Sequence, residues 1–166
     1  MEITKIYRTE TAHIVREAFS ERCKYNIHGH SYLWEVTIEG DLDKAGMAVD
    51  FGNLAPIKRF VDLFDHSMVM WTNEDKYSDM KEFFRTNISR WIVMNENPTA
   101  ENMANLLYRY ASEFLTDMKL KTECKIKCVT VHETTTGRAT SYGSSIDDEI
   151  DEMSEEIQQD FLNTNI

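Results

Sequence analysis

Basic residues are scarce in this chain: 18 Lys and Arg stand against 29 Asp and Glu, a formal charge of −11 over 166 residues. A surface so short of positive charge argues against a nucleic-acid backbone or an anionic membrane as the main partner. Long apolar runs are missing too. No uncharged stretch approaches the ~20 residues of a spanning helix, and the opening MEITKIYRTE holds no apolar signal stretch, so a cytoplasmic location is expected. Three cysteines, an odd number, do not make a disulfide scaffold. Cys124 and Cys128 share the strand-like CKIKCVTVHET. Four residues of strand set them ~13 Å apart, too far to bond to each other. Neither a P-loop nor a GxGxxG occurs, which leaves nucleotide hydrolysis and dinucleotide redox chemistry unsupported.

What is present has the balance of one soluble globular domain: 42% hydrophobic, 11% aromatic and 28% charged residues, at a length that supports a real core. The acidity is unevenly placed. Eight acids and no Lys or Arg follow Gly143, so the body before it carries only −3. Residues 1–142 are therefore read as the folded domain and 143–166 as an acidic C-terminal extension. Within that extension Ile146, Ile150, Met153, Ile157 and Phe161 recur at helical spacing. An acidic helix laid on its own domain or frayed in solvent competes here with a docking helix for another chain.

The body reads as α+β. EITKIYRTETAHIV and SYLWEVTIEGDL are strands that would pair as a long hairpin, the second by clear period-two alternation. MAVDFG is a short extended piece, and Asn53 is a candidate cap for a helix through NLAPIKRFVDLF that stops near Asp65 and His66. KYSDMKEFFR is a short helix candidate inside the long connection 67–97. Thr99 caps a second long helix to about Met118; CKIKCVTVHET and ATSYG close the pattern as strands around the TTGR turn.

Three of the five histidines lie close in sequence: His13, His28 and His30. An i, i+2 pair on an extended segment projects from one face with ~7 Å between positions, and His13, ending the preceding strand, can face the same patch. Gly29 leaves room for backbone approach. Three neutral imidazoles with a fourth position open describe a catalytic zinc site. A bare H-x-H pair also recurs by chance, however, and single histidines are commonly hydrogen-bonded core or surface residues. Cys23, five residues before His28, fits two roles: a thiol of lowered pKa that exchanges protons near the metal, or a fourth ligand that closes a structural site. In Asp65-His66 a carboxylate can orient an imidazole as a proton shuttle, although a histidine at a helix C-terminus is also favoured by the dipole alone. Glu133, in VHET, is ordinary in isolation. If buried, it could accept two parallel hydrogen bonds from the amino and ring N–H edge of a pterin.

TAH at 11–13, a cysteine shortly before HGHSY at 28–32, GMAVDFG at 46–52, FDH at 64–66, PTAEN at 98–102 and VHET at 131–134 occur in one order. That ordered combination, spanning about residues 3–142, resembles the 6-pyruvoyltetrahydropterin synthase / 6-carboxytetrahydropterin synthase family. The resemblance implies zinc held by His13, His28 and His30, proton transfer by Cys23 with Asp65 and His66, and Glu133 as the pterin anchor. It implies the tunnelling fold, a four-stranded antiparallel sheet with two helices on one face, assembled into trimers and then hexamers with active sites between subunits. The implied substrate is 7,8-dihydroneopterin triphosphate. HGHSY lies closer to the carboxy branch, which releases acetaldehyde and triphosphate and serves 7-deazaguanine (queuosine-type) biosynthesis. The pyruvoyl branch and a non-catalytic zinc-containing pterin-binding module are the alternatives.

Three departures stand out. Four residues separate Cys23 from His28, between the three of carboxy-branch members and the five of animal pyruvoyl enzymes. The 67–97 connection is long, and the acidic tail has no counterpart in short members of the family. Arg16, Arg22, Lys24 and Arg138 flank the site and are candidates for a triphosphate cradle, with solvated surface charge as the competing role.

Overall fold

A computed structural model describes residues 1–166 apart from 74–76, 119, 121, 144–148 and 164–166. Its frame is an antiparallel hairpin of two long strands, β1 (Glu2–His13) and β2 (His28–Gly40), paired without a break from Glu2↔Glu39 to His13↔His28. β5 (Cys124–His132) pairs antiparallel with β2, and β6 (Arg138–Ser141) with β5. These are the four strands that the sequence leads one to expect, β2 and β5 by period-two alternation, and the second long helix starts where expected. Thr99 accepts a hydrogen bond from Asn102 N and starts α4 (Ala100–Asp117). α2 (Ala55–Asp62) turns Ile57, Phe60 and Val61 inward.

The expected four-stranded sheet is an undercount. The sheet has seven strands in the order β6-β5-β2-β1-β3-β4-β7. β3 (Ser67–Trp71) runs parallel to β1, and β4 (Trp91–Met94) runs parallel to β3, the two joined by the crossover helix α3 (Tyr77–Asn87). β7 (Ile150–Met153) closes the edge antiparallel to β4. SMVMW and WIVM are buried throughout except Trp71, so they carry no polar alternation that would mark them as strands. The parallel pair is buried on both faces because two cores enclose it. Val69, Ile92 and Met94 join the main core under α2 and α4, while Met68, Met70, Trp91 and Val93 pack with Phe84 of α3 on the opposite face.

Two smaller expectations also change. MAVDFG is not extended but bends into a 3-10 turn over Phe51–Leu54, capped by Asp50, whose carboxylate accepts from Gly52 N. Asn53 therefore lies inside that turn and is not the helix cap. The tail is not one continuous helix either: Ile146 lies outside the described residues, Ile150–Met153 is strand, and α5 (Glu155–Asn163) follows. The strand wins over helical spacing because β4 offers an unpaired apolar edge. Ser154 links the two, its hydroxyl accepting from Trp91 N and Ile157 N.

Ile157 of α5 is fully buried in the main core. Ile157→Ala is therefore expected to lower stability by about 3 kcal/mol through lost burial and the cavity left behind. Urea unfolding measures this, and a loss well under 1 kcal/mol would mean the tail is only loosely seated.

Candidate metal and pterin site

The hairpin register decides the site. Cross-strand partners share a face, so His13, opposite His28, and Thr11, opposite His30, put all three imidazoles on the side of the sheet that carries α2 and α4. Gly29 sits between the two β2 histidines where a Cβ would come 3.3 Å from Thr11 O, so the hairpin end closes tightly. Ring centroids lie 4.5 Å apart for His13–His28 and 5.2 Å apart for each of His13–His30 and His28–His30. One nitrogen from each ring falls within 4.8 Å of the others.

Backbone carbonyls select which nitrogens these are. Nδ1 of His13 lies 2.8 Å from Pro98 O, and Nδ1 of His28 lies 3.0 Å from Asn26 O. A carbonyl only accepts, so in both rings Nδ1 carries the proton and Nε2 keeps its lone pair. Burial pushes the His13 pKa down to about 4, with the other two imidazoles adding to the effect against the opposing Pro98 hydrogen bond. Burial likewise lowers the pKa of His30. Closely packed imidazoles, His13 and His30 with lowered pKa values, suit a divalent cation that takes nitrogen ligands, as zinc does.

Glu133 follows β5 directly and is partly exposed. Its Oε1 lies 3.6 Å from His13 Nε2 and 4.0 Å from His30 Nε2. Tyr32 is a site residue that the sequence analysis did not single out. Buried on the same face as His28 and His30, its hydroxyl donates to Glu133 Oε1 at 3.4 Å and stands 3.2 Å from His13 Nδ1. The signal was available, since Tyr32 continues the i, i+2 series of HGHSY. The role of PTAEN was equally hidden: Pro98 orients His13 through its carbonyl, which no side-chain pattern reveals.

Cys23 lies on α1 (Glu21–Tyr25), half-buried, in the loop between the hairpin strands. That loop is tied down where Val15 N donates to Cys23 O, Arg16 Nη1 to Lys24 O, and Asn97 exchanges hydrogen bonds with the Arg16 backbone. Among the described residues the three-histidine cluster does not include the Cys23 thiol. Asp65 and His66 stand on the other side of β1. Asp65 Oδ1 accepts from Glu10 N at 2.8 Å, and His66 lines a hollow of about 510 Å³ with Glu10, Ala12, Gly29, His30, Ser31 and Met68. On β1, Glu10 and Ala12 have the opposite strand parity to Thr11 and His13. One chain therefore brings together His13, His28, His30 and Glu133, and places the Asp65–His66 pair at the edge of β1, outside the histidine cluster.

The profile of the family described as 6-pyruvoyl tetrahydropterin synthase matches residues 2–144. The chain belongs to this family. A 6-carboxy-5,6,7,8-tetrahydropterin synthase of Helicobacter pylori (strain J99) is 35% identical over 147 residues, covering 86% of this chain and 72% of the relative. The Aquifex aeolicus protein of the same name is 30% identical over 155 residues, covering 83% and 95%. Among solved structures, an uncharacterized Wolinella succinogenes protein superposes with a TM-score of 0.73 at 19% identity, covering 87% of this chain and 98% of its own. The 6-pyruvoyl tetrahydropterin synthase of Caenorhabditis elegans gives 0.60 at 24%, covering 87% and 96%. The tunnelling fold is thus the frame on which the extra strands are built.

The buried His13 ring has a consequence for stability. Its pKa in the fold, about 4, lies below the ordinary 6.5, so as pH falls the unfolded chain takes up the proton first. Metal-stripped protein should be indifferent to this group above about pH 6.5 and lose about 3 kcal/mol progressively down to about pH 4. Urea unfolding of chelator-treated wild type and His13→Asn at pH 7.5 and 4.5 checks this; equal pH slopes for the two proteins would contradict it.

Proposed function

We propose that the chain is a zinc-dependent 6-carboxy-5,6,7,8-tetrahydropterin synthase that converts 7,8-dihydroneopterin triphosphate to 6-carboxytetrahydropterin, acetaldehyde and triphosphate. The observation that carries this reading is the triangle of three imidazoles with the Glu133 carboxylate beside it, in a chain whose relatives bear that enzyme's name. His13, His28 and His30 would hold the zinc, which would act as a Lewis acid on the side-chain oxygens of the substrate. Glu133 would accept paired hydrogen bonds from the amino and ring N–H groups of the pterin, with Tyr32 fixing the carboxylate from behind. Cys23 would move a proton at the reacting side chain. The absence of its thiol from the histidine cluster supports that role over the closed four-ligand module.

Asp65 and His66 would complete the proton relay in a neighbouring copy, because they lie outside the histidine cluster of their own chain. Two features support assembly into trimers and hexamers: β1 from residue 2 to 9 pairs with β2 alone, and β6 pairs with β5 alone. Within each Asp–His pair, Asp65 Oδ2 lies 3.1 Å from His66 Nδ1, so the carboxylate would hold that nitrogen protonated and leave Nε2 to exchange protons. Burial works to raise the Asp65 pKa, but the Glu10 N–H, His66 and the Arg90 guanidinium outweigh it and hold the pKa below its ordinary value. The acid therefore stays ionised in its orienting role. Residues 143–166 would be an extension of the family domain, and the product would feed 7-deazaguanine-type synthesis in the cytoplasm. No helix among the described residues is long and apolar enough to cross a membrane.

Purified protein loaded with zinc is expected to release acetaldehyde from dihydroneopterin triphosphate in step with pterin product. Release of triphosphate with a pyruvoyl product and no acetaldehyde would assign the pyruvoyl branch instead. His28→Ala should lose bound zinc and turnover together, the latter by more than about 100-fold. Full turnover in a zinc-free variant would refute the mechanism.

A further inference from the structure

The peptide that carries His66 is unusual. His66 has φ 55°, in the left-handed region that a non-glycine residue rarely adopts unless its surroundings impose it. Its N–H donates to Glu10 O at 2.7 Å, which secures one side of the turn. The other side is secured by Arg90, the residue just before β4. Arg90 Nε donates to Asp65 O at 3.1 Å and Nη2 donates to Asp62 O at 3.2 Å, while the Arg90 carbonyl accepts from Met68 N at 3.0 Å. One residue thus brackets the turn from position 62 to position 68. The remaining guanidinium nitrogen, Nη1, faces the tail, 2.6 Å from Asp160 Oδ2 and 3.4 Å from Glu156 Oε1.

The guanidinium is largely covered, at 16% exposure, and its planar fork serves two carbonyls and two carboxylates at once. A lysine ammonium could supply the charge but not that set of directions. We propose that Arg90 is a positioning residue for the Asp65–His66 pair, and that the acidic C-terminal helix α5 holds Arg90 in that role. This rests on the reading of Asp65–His66 as the proton-transfer pair. It gives the tail's charge a function inside the chain: Glu156 and Asp160 fix one end of the guanidinium so that its other end can fix the backbone of the pair.

The test uses the full-length zinc-loaded protein and steady-state turnover of dihydroneopterin triphosphate. Arg90→Lys keeps the charge and the aliphatic stem. It should lower kcat about tenfold, in line with the cost of displacing a catalytic group by a fraction of an ångström, with KM and zinc content within about twofold of wild type. The double variant Glu156→Gln/Asp160→Asn should lower kcat about threefold. Combined with Arg90→Lys it should add nothing further, since both act on one linkage. The His66 imidazole signals in 1H–15N NMR spectra should shift in each variant. If His66→Ala abolishes turnover while Arg90→Lys keeps wild-type kcat and unchanged His66 signals, the positioning role is refuted and the pair stands. Full turnover by both Asp65→Asn and His66→Ala refutes the reading of the pair itself. A kcat loss in Arg90→Lys that tracks loss of zinc or of folded protein assigns Arg90 to general stability and also overturns the proposal.

Discussion

The pairing of His13 with His28 at the loop end of the β1–β2 ladder governs everything that the site can do. Twelve consecutive cross-strand pairs bring the two residues opposite each other, and a slip of one position would turn His28 and His30 to the far side of the sheet. The register is protected by burial on one face. Tyr7, Thr9, Tyr32, Trp34, Val36 and Ile38 all point into the main core or its polar lining, and Trp34 Nε1 donates to Thr9 Oγ1 across the pair. The metal site is thus the last step of a hydrophobic ladder. The side chains that stabilise the fold and those that would bind the cation lie on one continuous face, so the position of the imidazoles follows from the core packing beneath them.

The candidate proton-transfer groups divide, because Asp65–His66 is fastened to the edge of β1 that pairs with β3, by the Glu10 amide and carbonyl, and lies outside the histidine cluster. In the assembly proposed above, a neighbouring copy would bring such a pair to the histidine cluster.

Much of this was legible in the sequence, for identifiable reasons. β1, β2, β5 and β6 alternate because one face is buried and the other is not, and HGHSY inherits its common face from that alternation. α4 announces itself through Thr99 and its apolar stripe. What escaped notice lacked contrast. SMVMW and WIVM are buried on both sides, so no polar residue marks their strand character, and Ile150–Met153 reads as helix because its spacing to Ile157 and Phe161 fits one. The site shows the same division. Ligands with distinctive chemistry, His13, His28 and His30, stand out in one dimension. Pro98 contributes only a carbonyl and Tyr32 resembles a core aromatic, so their roles depend on contacts that only the folded chain creates.

The tail reconciles an acidic chain with the anionic substrate proposed above. Four of its eight carboxylates are matched locally: Glu149 with Arg109, Glu152 with Lys81 and Arg85, Glu156 and Asp160 with Arg90. Exposed pairs of this kind add little stability individually. Their effect is on placement, because each tethers an otherwise repulsive segment to a cation on α3, on α4 or just before β4. β7 in turn covers the edge of β4, an all-apolar WIVM run that would otherwise invite pairing with another chain. Extending a four-stranded family sheet by a buried parallel pair creates a sticky edge, and a charged, antiparallel capping strand is a direct physical remedy. Glu149, Glu152, Glu156 and Asp160 thus face cations at the β3–β4–β7 end of the sheet. The cluster of His13, His28, His30 and Glu133 is built at the hairpin end of β1 and β2, where the basic side chains of Arg16, Arg22 and Lys24 lie in the adjoining loop.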